Sequence, residues 1–294
     1  MNLRETHATP KINLLLKIEG RRGDGFHDIT TLFLPLESPK DALAIAVAEK
    51  NGVIEIISDS DKIPLDEKNI CHKAAALFAE KTGATPKWRI HIGKGIPVAA
   101  GLGGGSADAA ATLKLLNETS GHPISPAKLA ETALEIGSDV PFLLQPRPAI
   151  GRGRGEILEP LEIKRAAYAL ILNPRFPVST AWAYKNARPT GSPFPANAEI
   201  AAAFESMDFS TMTIASGHAK GILLNDLAPA VFRKFPIMGI LTDALWKTTP
   251  AAVGMSGSGP TLFALYPDRR AAETAENETV EKFQNATETF VSAI

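Results

Sequence analysis

The chain has 294 residues, enough for one large domain or two moderate ones, and its 45% hydrophobic and 21% charged content is that of a globular protein with a core. A net charge of −1 excludes a global field that would hold nucleic acid or an anionic membrane, so any phosphate must be bound by local geometry. The single cysteine, Cys71, excludes an internal disulfide and a multi-cysteine zinc site.

Alternation over residues 11–18 predicts a strand with Ile12, Leu14, Leu16 and Ile18 on a core and Lys11, Asn13, Leu15 and Lys17 on the opposite face. Residues 20–25 predict a turn-rich break, followed by strands at 28–37, 42–48 and 52–57, a helix at 68–82 and a strand at 88–93. A glycine loop comes next, and its helix is expected from Ser106 to about Thr119, with a stop at Gly121. Ser125-Pro126 reads as the N-cap and first position of a helix ending near Gly137. A second glycine and arginine cluster fills 148–160, densest over Gly151 to Glu156, and a soft boundary just beyond it divides the chain into 1–160 and 161–294. The C-terminal part is expected to hold a strand at 166–172, a surface loop at 186–197 and helices at 199–206 and 228–247. Another glycine loop, Gly254 to Pro260, leads into a strand at 261–266, a helix at 269–284 and a last strand at 288–293. Strands and helices mix without a regular βαβα rhythm, which predicts the α+β class. The first residues carry no apolar core of signal-peptide length, and no apolar run approaches the roughly 20 residues of a membrane span, so a cytoplasmic location is expected.

The densest chemical signal is Pro97-Val98-Ala99-Ala100-Gly101-Leu102-Gly103-Gly104-Gly105-Ser106-Ala107. Glycines let a backbone approach a ligand closely, and a helix that starts there aims unpaired N–H groups and its positive dipole end at that ligand. Together these features make a phosphate cradle. A Walker A loop needs Lys-Ser or Lys-Thr after its last glycine, and Ser106-Ala107 stands there instead. A dinucleotide fingerprint needs a sixth-position glycine, and counting from Gly101 that position is Ser106. Main-chain amides must therefore do most of the binding, with Ser106 available to the phosphate or to a Mg²⁺ ion carried on it. The competing reading is a tight strand-to-helix turn.

Pro97 to Leu113 resembles the second motif of the galactokinase, homoserine kinase, mevalonate kinase and phosphomevalonate kinase superfamily. Pro10 to Leu14 resembles its N-terminal motif, and Gly254 to Thr261 its C-terminal glycine motif. Lys11-Ile12-Asn13, Gly20-Arg21-Arg22-Gly23-Asp24-Gly25-Phe26-His27, Thr30-Thr31-Leu32-Phe33 and Gly137-Ser138-Asp139-Val140-Pro141-Phe142 sharpen the match. They resemble the branch that acts on a cytidine diphosphate–linked methylerythritol. The resemblance implies an N-terminal domain like ribosomal protein S5 domain 2 and a C-terminal ferredoxin-like domain. It also implies ATP with Mg²⁺, a small-molecule partner, no nucleic acid or membrane, and a monomer or weak homodimer. The implied reaction is phosphorylation of the substrate's 2-hydroxyl in non-mevalonate isoprenoid synthesis. Alternatives are a sister kinase for homoserine, mevalonate or a sugar, and a non-catalytic nucleotide sensor.

Phosphoryl transfer needs positioning, charge neutralisation and an acceptor for a proton. Asp139 is the candidate base, stiffened by Pro141, and is otherwise a turn aspartate. Lys11 is its candidate partner, because a cation within about 4–6 Å holds a carboxylate ionised; otherwise it is a solvent lysine at a strand start. Asn13 shares the Lys11 face and would bond the substrate or face solvent. Phe26 offers a ring for the cytosine, and His27 offers its edge, while the competing readings are a core aromatic and a turn histidine. The branch more often carries tyrosine where Phe26 stands, and proline or alanine where Gly23 stands, which puts the turn's stiffness in question. Tyr184 matches an aromatic near the cytidine, or packs a helix. Arg152 and Arg154 reach the diphosphate or stay solvated. Ser256 and Ser258 abut phosphates or simply make a tight turn. Cys71, His72 and His91 lack metal-ligand spacing.

Overall fold

The computed structural model describes residues 4–215 and 220–294. The strands are β1 (Arg4–Ala8), β2 (Lys11–Arg21), β3 (His27–Pro35), β4 (Asp41–Val47), β5 (Val53–Ser58), β6 (Lys87–Gly93), β7 (Ala149–Arg152), β8 (Ile157–Pro160), β9 (Tyr168–Asn173), β10 (Thr213–Ile214), β11 (Ile222–Leu223), β12 (Ala252–Met255), β13 (Leu262–Tyr266) and β14 (Glu288–Ala293). The helices are α1 (Ile70–Thr82), α2 (Gly104–Thr119), α3 (Pro126–Ile136), α4 (Val140–Leu144), α5 (Thr180–Asn186), α6 (Asn197–Ser206), α7 (Ala228–Lys234), α8 (Ile237–Lys247) and α9 (Arg269–Phe283). Among the described residues no helix is long and apolar enough to cross a membrane.

The chain folds into two compact units. The first takes the residues up to Pro10, then Pro39–Val98 and Gly103–Pro146. Its mixed sheet has the order β1-β4-β6-β5, with only the β5–β6 pair parallel. The sheet's alternation works as the sequence dictates: Leu43 and Ile45 on β4, and Ile90 and Ile92 on β6, are buried, and α1 and α2 pack within the same unit. Ser125 caps α3 with Pro126 in its first turn, as expected, and Asn69 caps α1 by accepting from Cys71 N–H, which the sequence reading did not single out.

The second unit takes Lys11–Ser38, Ala99–Leu102 and the residues from Arg147 onward. One of its sheets runs β2-β3-β7-β8, antiparallel throughout. Another runs β12-β13-β9-β14, also antiparallel, with α7 and α8 between β9 and β12 and α9 between β13 and β14. That is the expected split βαββαβ, ferredoxin-like order, and the fold is α+β.

Three differences from the sequence expectations have local causes. The 228–247 helix is two helices, α7 and α8, because Phe235-Pro236 interrupts it and proline cannot donate into the preceding turn. α2 begins at Gly104, two residues before the predicted Ser106, because Gly103 at φ 72° supplies the N-cap. β2 runs on to Arg21, two residues into the predicted break, which then turns as expected, and it shifts register at Asn13/Leu15 and Ile18/Gly20. Both faces of its first six residues are buried, so strict alternation does not describe it.

Candidate active site

In the first unit, α2 starts without a side-chain cap: Gly103 has none to give, and Ala107 N–H is the one that reaches Gly103 O, at 2.8 Å. The earlier N–H groups of a 16-residue helix therefore face outward with no capping side chain, the arrangement that receives anions. The approach to it is held in shape by positive φ at Ala99 (57°), Gly101 (78°) and Gly103 (72°). Ala99 is not glycine, and such a conformation costs about 1–3 kcal/mol, a strain that clusters at ligand clamps.

Beside this loop lies a buried charge triad that the sequence reading missed. Asp41 accepts from the N–H groups of Gly95 and Ile96, each at 2.7 Å, and also pairs with Lys94 Nζ. Lys94 Nζ donates to Asp108 Oδ2 at 2.8 Å. Asp108 Oδ1 is buried and has no hydrogen-bond partner among the described residues. Burial pushes the Asp108 carboxyl up to about 8, against the pull of Lys94, and neighbouring Asp41 adds to the rise. Burial also acts to lower the Lys94 ammonium, yet Asp108 and Asp41 overcome it and hold it above the ordinary lysine value. The triad ties the strand that enters the glycine loop to the helix that leaves it. A signal for it exists in the sequence: Asp108 is the one charged residue in the otherwise uncharged stretch 101–113. The candidate base Asp139 also belongs to the first unit, at the N-cap of α4, where its carboxylate makes no capping bond.

In the second unit, Lys11 and Asn13 lie on one face of β2 and are buried rather than solvated. Lys11 Nζ donates to Asn13 Oδ1 and, at 3.5 Å, to Gly101 O, while its backbone N–H meets Leu102 O at 3.0 Å. Asn13 Nδ2 donates to Thr31 Oγ1 at 2.8 Å, which turns the amide oxygen toward the lysine. Ser256 Oγ donates to Gly101 O at 2.9 Å and accepts from Asn13 N–H at 3.2 Å. Its hydroxyl thus joins the C-terminal glycine motif to Gly101 and β2. A Cβ on Gly101 would stand 2.7 Å from Ser256 O, which explains why that position needs glycine. Asn225, also missed from sequence, holds the same motif by donating to Met255 O at 2.8 Å and Gly257 O at 2.9 Å.

The turn before β3 presents the aromatic groups. Asp24 Oδ1 accepts from Phe26 N–H at 3.0 Å, and Arg22 reaches both Asp24 and Asp28. Those bonds stiffen the turn whatever occupies position 23. The His27 and Tyr184 rings stack with centroids 5.1 Å apart and an interplanar angle of 24°. Phe26 is 50% exposed and carries the Arg154 guanidinium 4.0 Å from its centroid. The structure therefore brings Lys11, Asn13 and Gly101 together, pairs His27 with Tyr184, and pairs Phe26 with Arg154. Ser258 Oγ meets Thr180 Oγ1 at 3.0 Å, at the start of α5. Cys71 is buried, and that burial pushes its thiol up, which suits an inert packing residue.

Residues 69–145 match the family model described as GHMP kinases N terminal domain, and residues 200–285 match GHMP kinases C terminal. The chain is 37% identical over 273 residues to a 4-diphosphocytidyl-2-C-methyl-D-erythritol kinase of Nitratidesulfovibrio vulgaris, covering 90% of this chain and 91% of that one. It is 35% identical over 268 residues to the kinase of the same name from Geobacter sulfurreducens, covering 91% of each. A crystal structure of 4-(cytidine 5'-diphospho)-2C-methyl-D-erythritol kinase superposes with a TM-score of 0.80 at 30% identity, over 99% of this chain and 98% of that one.

Proposed function

The chain belongs to the GHMP kinase family, and we propose that within it the protein transfers the γ-phosphoryl group of ATP to the 2-hydroxyl of 4-diphosphocytidyl-2-C-methyl-D-erythritol, a step of the non-mevalonate route to isoprenoids. The observation that carries the substrate choice is the stacked His27–Tyr184 pair on the Asp24-Gly25-Phe26-His27 turn. A cytosine needs such an aromatic face, whereas homoserine and mevalonate have no ring and a sugar has no planar π system to stack on it.

Residues 97–107 grip the triphosphate through main-chain amides at the start of α2, in the N-terminal part, 1–160, with 161–294 as the C-terminal part. Asp139 accepts the proton of the 2-hydroxyl as its oxygen forms a bond to the γ-phosphorus and the bond from that phosphorus to the β-bridging oxygen breaks, releasing ADP. Lys11 sets a fixed positive charge against the negative charge that the transfer develops, and Asn13 orients the ammonium. Asn13, Phe26, His27 and Tyr184 bind the cytidylyl alcohol.

Ser106 Oγ hydrogen-bonds no other group among the described residues, and those residues contain no cluster of three or more His, Cys, Asp or Glu that would cage a metal. A hydroxyl beside a phosphate cradle suits Mg²⁺, which keeps several waters and binds through few protein oxygens together with substrate phosphates. When bound there, Mg²⁺ neutralises phosphate charge.

The test is an ADP-release assay that offers the cytidylyl alcohol beside homoserine, mevalonate and galactose. Turnover confined to the cytidylyl alcohol is expected. Turnover with one of the others alone would transfer the chain to a sister activity, and ATP binding without any turnover would make it a sensor.

A further inference from the structure

A cavity of about 430 Å³ in the second unit, between the C-terminal ends of α5 and α7, plays no part in the reaction above. Its wall carries Lys185 and Arg188 from one side, Arg233 and Lys234 from the other, and Trp182 and Ala230 between them. No carboxylate lines it, and none of the four cations forms a salt bridge or a side-chain hydrogen bond among the described residues. Lys234 Nζ lies 3.9 Å from the Trp182 ring centroid, which fixes one cation against the wall.

Two helices end here, and a helix C-terminus attracts cations with about half a negative charge. Two such ends supply roughly −1 and account for about one of the four positive charges. An excess of about +3 remains, gathered around a concave surface that focuses its field. A surface salt-bridge network does not explain it, because the matching anions are missing from the lining.

We propose that this cavity is a binding site for a compact polyanion of the di- or triphosphate class. The size fits: small-molecule sites run from roughly 300 to 1,000 Å³. The charge fits too, since such a chain carries three to four negative charges near neutral pH, and the two arginines offer forked donors that match phosphate oxygens. The indole provides an apolar wall against which a nucleoside attached to the phosphates would rest.

Calorimetric titration of the intact protein with inorganic triphosphate tests the proposal. The wild type is expected to show two classes of site, one at the glycine loop and one at this cavity. The Lys185→Gln/Arg233→Gln double variant is expected to lose one class, through weakening of about tenfold or more per cation, with kcat and the KM for ATP unchanged. A single class in the wild type, or two classes of unchanged affinity in the double variant, would overturn the proposal. A parallel titration with a nucleoside triphosphate identifies the source of the phosphate. Equal affinity supports a free phosphate chain, and a gain that disappears in Trp182→Ala supports a nucleotide at the same site.

Discussion

Lys11 Nζ donates to Asn13 Oδ1 at 2.5 Å, and neither residue exposes more than 4% of its surface. An ammonium removed from water is costly unless its environment returns the lost hydrogen bonds. A protein that retains one at a strand start, with an amide turned toward it by Thr31, is holding a positive charge for use. Lys11→Met keeps the length of the side chain and removes the charge. Turnover is expected to fall by about 10²–10³-fold, the usual effect of losing one preorganised electrostatic group. The melting temperature is expected to fall by a few degrees, because Asn13 Oδ1 and Gly101 O lose their buried donor. Steady-state kinetics beside a thermal melt read both, and wild-type kcat in a folded variant would take Lys11 out of the mechanism.

Asp139 sits at the N-cap of a helix whose second residue is Pro141, so its backbone is stiff and its carboxylate makes no capping bond. Asp139→Asn preserves the shape and removes the proton acceptor. ATP affinity is expected to stay within about twofold, while kcat falls by about 10²–10⁴-fold. Equilibrium binding of a non-hydrolysable ATP analogue separates the two effects; loss of ATP binding in this variant would instead mark Asp139 as part of the nucleotide site.

Tyr184 stacks on His27, and both rings belong to the second unit. A base laid against such a surface gains about 1–3 kcal/mol. Tyr184→Ala should therefore raise the KM for the cytidylyl alcohol roughly tenfold or more and leave the KM for ATP alone. Tyr184→Phe retains the ring and should retain the affinity. Equal KM changes for both substrates in the alanine variant would point to a general loss of structure rather than to base recognition.

Much of this was legible in the sequence, for reasons particular residues show. Glycine density announces the tight loop ahead of α2 because positive φ and close approach exclude other residues, and Gly101 beside Ser256 O is the direct instance. Ser125-Pro126 and the strand at 288–293 follow from local chemistry alone, as does the apolar strand before α9. What stayed hidden depends on contacts distant in sequence. Lys94 gives no sign that it will meet both Asp41 and Asp108, and Asn225 none that it will hold Met255 and Gly257. The burial of Lys11 was hidden for the same reason: strand alternation assigns it to the outer face, and residues distant in sequence, such as Gly101 and Leu102, meet it there.

The folded protein holds the Asp108 carboxyl at about 8, above its ordinary value of 3.8, because burial penalises the charged form more than Lys94 rewards it. An acid with a raised folded value binds its proton more tightly when folded than when unfolded. Between about pH 4 and pH 8 the folded state thus holds the extra proton, and stability falls as pH rises through that window. Asp108→Asn imitates the protonated form: its Oδ1 still accepts from Lys94, and its amide supplies a donor beside Asp41. Wild type and variant should melt together near pH 3, below that window, where the carboxyl is protonated in both folded and unfolded chains. Near pH 8 the variant should melt higher by a few degrees or more, since each tenfold difference in proton affinity between folded and unfolded chains is worth about 1.4 kcal/mol and relaxation of the buried pair reduces the total. Melting curves across that range decide the matter. A gap between the two proteins that is the same at pH 3 and pH 8 would mean that the Asp108 carboxyl stays in one protonation state throughout, and that the triad is a fixed ion cluster.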